Sequence, residues 1–319
     1  MDIIKEKYEI NEVIDSGDFC RIYKITDKKV QTEYILKELT KINVRDSNKK
    51  KYENEINILK EVKGKNILNI IDYYEDDKFY YIILEKMDGD LECLLKEKYK
   101  NGMSSNLIRK IFSQINSGLK DMLKKGKYYR DLKPSNILYS YINEEKTNFI
   151  IKLGDFDSST DIKSTQHESY VGDKLHKEPE IEEGKISNKC DLYSIGVILY
   201  YLKTGEYIFD GKSEEEILLN KDKNIIIKDT DDKLLNKLIR KLVVKDPHKR
   251  IEWDDYFNDP FFQVIDEKFS KKNYLNIDEI LNFDSNEIKE KYNKIIFGKY
   301  YNNYYRKLWF EKDMQQLSK

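Results

Sequence analysis

The stretch Tyr129-Arg130-Asp131-Leu132-Lys133-Pro134-Ser135-Asn136, followed nineteen positions later by Asp155-Phe156-Asp157, decides how the rest of the chain is read. Two short segments bring together a carboxylate able to take a proton, a cationic neighbour, and two oxygen-bearing side chains suited to a hard divalent cation. A lone Arg-Asp-Leu-Lys-Pro would be a loop with a helix-stopping proline. Asn136 and Asp155 at this spacing make it a candidate site.

The chain around this pair has 319 residues, enough for one large two-lobed domain or two ordinary ones. With 58 basic and 59 acidic residues it carries almost no net charge, so nucleic acid is not expected as a partner. Alanine is absent, which reads as a coding bias. Cys20, Cys93 and Cys190 match no zinc spacing, and a reducing, cytoplasmic compartment is expected. Met1–Lys7 lacks the apolar core of a secretion signal. The apolar run Tyr193–Leu202 is too short for a transmembrane segment and reads as a buried helix.

Period-two alternation predicts strands over Tyr8–Ile14 and Thr32–Lys37, separated by the turn signal Asp15-Ser16-Gly17-Asp18-Phe19. Residues 49–62 have helical spacing, and Ile67–Tyr74 and Phe79–Glu85 return to strand character. Helical periods then dominate, over Leu91–Tyr99, Ser105–Lys124, 191–203 and Lys233–Val244. Met87-Asp88-Gly89 is the expected hinge between a strand-rich and a helical part. Residues 263–319 are rich in Lys, Asn and Tyr, with weak helical patterns at Ile277–Phe283 and Glu287–Phe297.

Further motifs stand in order along the chain. They are the loop Ile14-Asp15-Ser16-Gly17-Asp18-Phe19-Cys20-Arg21-Ile22, then Lys37 on a strand and Glu55 on the next helix. Glu178-Pro179-Glu180, Asp191 and Arg250 follow the quoted pair. From about Tyr8 to Phe262 this ordered set resembles the eukaryotic protein kinases, with a weak likeness to calmodulin-dependent and Unc-51-like kinases.

The resemblance implies an α+β, two-lobed fold: a small antiparallel β-sheet lobe with one main helix (1–86), a helical lobe with catalytic loop and activation segment (87–262), and a tail (263–319). It implies a Ser/Thr protein kinase using ATP with Mg²⁺, or Mn²⁺, on a protein substrate. Asp131 would be the catalytic base and Lys133 would neutralise charge on the moving phosphoryl. Asn136 and Asp155 would hold the metal. Lys37, directed by Glu55, would contact the phosphates, and residues 14–22 would cover the nucleotide. Ile35, Glu85, Met87, Asp90 and Leu138 complete the nucleotide set, with Leu84 as gatekeeper; the backbone groups of Glu85 and Met87 would meet adenine. Asp90 suits the ribose hydroxyls or, equally, a helix dipole. Leu59, Ile70, Tyr129 and Phe156 would stack between the lobes. Glu180 would pair with Arg250, and Asp191 would anchor the catalytic loop.

Several positions depart from the family pattern. The loop keeps only its middle glycine, with Asp15 and Cys20 in place of the others, and Asp15 and Asp18 add negative charge. Ile35 replaces an alanine, crowding the adenine by an overpacking cost of about 1–3 kcal/mol. Tyr129 replaces a histidine; Asp157 replaces a glycine and restricts the backbone flip of its triplet. Asp173 replaces a hydroxyl residue and would repel Asp131 unless Lys133 bridges them. Asp15, Cys20, Ile35, Asp157 and Asp173 keep a second reading open, a pseudokinase acting as a scaffold or allosteric partner. Ser169 is the best-placed phosphate acceptor in the activation segment, opposite Arg130. The tail, through Tyr300–Phe310, suits a regulatory partner groove, a membrane surface or a single-stranded nucleic acid, or packs on its own helical lobe.

Overall fold

Alternating side chains bury both faces of a sheet in the first 85 residues of the computed structural model. It describes residues 1–42, 44–161, 175–180, 187–209, 211, 213–222 and 227–264. The chain divides into two units, Met1–Gln263 and Val264–Lys319, of which the first is described here.

Helix α1 (Asp2–Lys7) leads into strands β1 (Tyr8–Ser16), β2 (Cys20–Asp27) and β3 (Glu33–Thr40), then helix α2 (Asp46–Glu61) and strands β4 (Ile70–Glu75) and β5 (Phe79–Glu85). The strands form an antiparallel sheet in the order β1-β2-β3-β5-β4. Tyr81 and Ile83 of β5 join Leu36, Tyr23, Ile25, Ile4 and Tyr8 in a cluster on one face. Tyr80, Ile82 and Leu84, one residue out of phase, bury with Leu39 and with Ile56, Ile58 and Leu59 of α2 on the other. This parity turns Ile35 and Lys37 of β3 toward the α2 side.

Strand β6 (Gly89–Asp90) and helices α3 (Leu91–Lys98) and α4 (Ser105–Lys124) open the second lobe. The apolar residues of α4 recur at helical spacing, and Ile108, Ile111, Phe112, Ile115, Leu119 and Met122 are all buried. Strand β7 (Lys127–Tyr128) precedes the catalytic-loop sequence. A hairpin of β8 (Ile137–Tyr141) and β9 (Phe149–Leu153) separates it from Asp155, and β10 (Thr160–Asp161) pairs back onto β7. Helix α5 (Cys190–Thr204) is buried on every side and ends at Gly205, whose φ of +76° only glycine adopts cheaply. Helices α6 (Glu214–Asp222), α7 (Lys233–Leu242), α8 (Trp253–Phe257) and α9 (Pro260–Gln263) complete the described part. No helix among the described residues is long and apolar enough to cross a membrane.

The expected two-lobed architecture is present, with small antiparallel sheet plus helix first and a mainly helical lobe after it. One hydrophobic cluster runs through both lobes. Leu59, Tyr129 and Phe156 are buried in it, with Ile70 packed against it. Residues 66–68 tie onto the end of β9, with Leu153 N–H donating to Asn66 O (2.9 Å) and Leu68 N–H to Leu153 O (2.8 Å). Helices dominate after Leu91 as expected, and the β8–β9 hairpin, which carries no signal of its own in the sequence, lies among them, pairing through Ile137↔Leu153 to Tyr141↔Phe149.

Candidate active site

Lys37 projects from β3 onto α2, where its Nζ lies 2.7 and 2.9 Å from the two carboxylate oxygens of Glu55. The same ammonium is 3.5 Å from Asp155 Oδ1. Burial by itself would lower the Lys37 pKa, but Glu55 and Asp155 outweigh it and leave it raised. Burial pushes the Glu55 carboxyl up, and the Lys37 ammonium opposes that push. Asp155 is the most open of the three, its side chain 42% exposed.

The loop from Ile14 to Ile22 closes with Gly17 N–H donating to Cys20 O (2.8 Å), and Phe19 O receives Thr40 N–H (3.0 Å). Asp15 Oδ1 accepts the Ser16 N–H at 2.8 Å. Ile14, Asp18 and Phe19 are exposed, and Arg21 reaches back to Glu38 at 3.8 Å. Cys20 is half-buried, and burial raises its thiol pKa, which favours the unreactive form. Ile22 pairs with Lys37, and Ile35 pairs with Leu84. Ile35 and Met87 pack half-buried against the main core. The Glu85 N–H is committed to Asn69 O at 3.1 Å, so this one of its backbone groups is already used within the protein. Asp90 caps α3, its Oδ1 accepting the Cys93 N–H at 2.8 Å. Leu138 lies under Gly154, where an added Cβ would come within 2.9 Å of Leu138 Cδ1.

On the opposite side, buried Asp191 of α5 accepts the backbone N–H groups of Tyr129 (2.9 Å) and Arg130 (2.7 Å). This fixes the loop just before Asp131. Asp131 Oδ2 lies 2.9 Å from Lys133 Nζ and 3.0 Å from Asn136 Nδ2, which also donates to Asp131 O at 2.9 Å. Gly154 N–H donates to Asn136 O (3.0 Å), setting Asn136 beside the segment that begins at Asp155. The Tyr129 hydroxyl donates to Gly154 O, and its ring meets Phe156 edge-on at 5.3 Å. Glu180 and Arg250 form the expected ion pair, bidentate at 2.9 Å for both bonds.

Among the described residues the left-handed positions here are Arg130 (φ +68°) and Asp155 (φ +55°), and Asp157 is not one of them. The triplet therefore bends at its metal-side aspartate, and its third position has no need of glycine in this conformation. Burial, reinforced by the neighbouring Asp155 carboxylate, raises the Asp157 pKa.

Two residues were missed from sequence. Asn54, one position before Glu55, donates its side-chain amide to Ser159 O (2.6 Å), Asp157 O (3.3 Å) and Phe156 O (3.4 Å). Lys177, buried, places Nζ 3.0 Å from Asp131 Oδ1 and donates to Arg130 O at 2.8 Å. Neither has a signal of its own in a chain so rich in polar and basic residues. Ser169, Asp173 and residues 265–319 lie outside the described residues.

The set can orient anionic groups at Lys37, carry a hard cation on oxygen at Asn136 and Asp155, and present Asp131 to a proton. Comparison with known proteins agrees with that chemistry. Residues 8–262 match the protein kinase domain family. Calcium-dependent protein kinase 4 of Plasmodium falciparum (isolate 3D7) is 31% identical over 221 residues, 68% of this chain and 41% of that protein. Serine/threonine-protein kinase atg1 of Dictyostelium discoideum is 31% identical over 261 residues, 79% of this chain and 38% of its own length. Calcium-dependent protein kinase 5 of Plasmodium berghei (strain Anka) is 30% identical over 299 residues, covering 92% and 51%. The chain thus spans about two fifths to one half of these relatives. With the motifs, the two lobes and the match over residues 8–262 all in agreement, the chain belongs to the eukaryotic protein kinase superfamily, as a protein kinase domain of the Ser/Thr kind.

Proposed function

We propose that this domain transfers the γ-phosphoryl of ATP to serine or threonine hydroxyls of a protein substrate. The observation that carries the reading is the Lys37 ammonium, clasped by Glu55 and reaching Asp155 across the lobes. Such a cation can orient nucleotide phosphates toward Asp131. In this reading residues 14–22 cover the nucleotide, Ile35 and Leu138 line the base, and Glu85 and Met87 border it. Asp131 accepts the proton of the acceptor hydroxyl as its oxygen attacks phosphorus. Lys133 offsets charge on the transferred group.

Asn136 and Asp155 suit Mg²⁺ or Mn²⁺. The Asn136 amide nitrogen is spent on Asp131, which leaves its oxygen for a cation, and the Asp155 carboxylate is partly open. One amide and one carboxylate fit an ion that draws its remaining ligands from phosphates and water. When bound, the metal would offset phosphate charge and hold the transfer in line. Preference for Ser/Thr rests on Lys133 in its loop pattern. A reducing intracellular setting fits the three unpaired thiols. Arg130 is the residue we assign to a phosphate on the activation segment.

Incubation of the full chain with radiolabelled ATP, Mg²⁺ and a generic protein substrate tests this, with Asp131→Asn as control. Label well above the control is expected. Equal labelling at saturating ATP would remove the enzyme reading and favour the scaffold.

A further inference from the structure

We infer that Lys177 is a positioning residue for the transfer, a second cation that fixes the Asp131 carboxylate from the activation-segment side; this rests on the kinase reading above. Asp131 is held from two directions. Lys133 and Asn136 reach Oδ2 at 2.9 and 3.0 Å from within the catalytic loop, and Lys177 reaches Oδ1 at 3.0 Å from a different segment. A carboxylate gripped on both oxygens cannot rotate about its final torsion, so the oxygen that takes the proton keeps one direction.

The backbone carrying Lys177 is anchored at His176 and at Lys177 itself. Ser194 Oγ of α5 donates to His176 O (2.9 Å), and Lys221 Nζ of α6 donates to Lys177 O (2.5 Å). Lys221 is itself buried, over the rings of Tyr193 (5.5 Å) and Phe209 (5.3 Å). Three residues on, Glu180 is locked by Arg250. The Lys177 ammonium also donates to the carbonyl of Arg130, at 2.8 Å. That residue holds φ of +68°, so the same ammonium steadies the one left-handed turn entering Asp131.

Burying an ammonium with 4% exposure is costly unless a carboxylate compensates it. Burial lowers the Lys177 pKa and Asp131 opposes this, as expected of a cation kept for its partner. The register of the activation segment is thereby read at the catalytic base. If residues 175–180 shift, Lys177 leaves Asp131, and the base loses its orientation without any change at Lys37 or Asp155.

The test compares wild type, Lys177→Met, Lys177→Arg and Asp131→Asn in steady-state phosphorylation of a Ser/Thr protein substrate, alongside thermal shift by Mg²⁺–ATP. A misdirected base with intact nucleotide binding predicts kcat down at least tenfold in Lys177→Met, on the order of the penalty for a misplaced catalytic group. KM for ATP should stay within about twofold of wild type, and Lys177→Arg should keep more than half the wild-type kcat. A Lys177→Met enzyme with kcat within twofold of wild type overturns the inference. So does loss of kcat in both variants together with loss of the ATP-induced thermal shift, which would mark a merely structural lysine. Wild type no better than Asp131→Asn would instead remove the kinase reading, and this inference with it.

Discussion

Arg250 uses every donor of its side chain, which makes its replacement by lysine a quantitative test. Its side chain is fully buried. Nη1 donates to Glu180 Oε1 (2.9 Å) and Lys189 O (2.8 Å), Nη2 to Glu180 Oε2 (2.9 Å) and Val244 O (2.8 Å), and Nε to Val244 O (3.1 Å). These five bonds exhaust the five N–H donors of a guanidinium. Lysine offers three donors from a single point, so in Arg250→Lys at least two bonds disappear inside a dry site. At about 1.5–3 kcal/mol for each bond to a charged group, the loss is about 3–6 kcal/mol. That equals a fall in the unfolding midpoint of about 6–24 °C for a domain of this size. Thermal and urea unfolding, followed by circular dichroism, measure it directly, and a double-mutant cycle with Glu180→Gln isolates the pair. The cycle should give a coupling of about 1–3 kcal/mol. Unfolding of Arg250→Lys within about 1 kcal/mol of wild type would refute the view that fork geometry, and not charge alone, holds residues 178–180 in place.

Glu178 predicts a pH dependence. Burial raises its carboxyl from the ordinary 4.5 to about 7, so the folded chain keeps a proton that the unfolded chain has released. Stability should fall as pH rises through this window, by about 3 kcal/mol in all, and level off above it. Glu178→Gln should flatten that slope and raise the melting temperature at pH 7.5; an unchanged pH–stability profile would count against the burial argument. Asn54→Leu should cost about 1 kcal/mol of stability, one net hydrogen bond. It should also speed amide exchange over residues 156–161 while leaving the exchange of β5 unchanged. Uniform acceleration, or none, would show that Asn54 does not hold this segment.

How much could be read from the chain depended on the range of the interaction involved. Helix α4 and strand β5 were legible because each contrasts a buried face with a wetter one, or forms an unbroken apolar run between turns. Helix α5 was found by apolarity alone, since it is buried all round and has no period to detect. The β8–β9 hairpin was lost because its strands are five residues each and are joined through the polar stretch Ile142–Asn148, which carries no tight-turn signature. In the site, Lys37, Glu55, Asp131, Asn136, Asp155, Asp191 and Glu180 could be placed by motif order. Asn54 and Lys177 could not, because their roles come from where a distant backbone passes. Among 58 lysines and arginines, nothing local separates Lys177 from a solvated surface charge. The substitution at Asp157 drew attention to the backbone of this triplet, and its left-handed residue, Asp155, carries no local sequence signal.

Tyr129 gives the enzyme a property that a histidine at that position would not. An imidazole there would carry a proton equilibrium in the range where cells and vesicles change their acidity. The phenol is buried, and burial followed by the surrounding carboxylates drives its pKa well above the ordinary value. The hydroxyl that joins the loop of Asp131 to the carbonyl before Asp155 stays neutral and stays a donor through acidification. The contact between the two halves of the reaction centre is thus deaf to proton concentration.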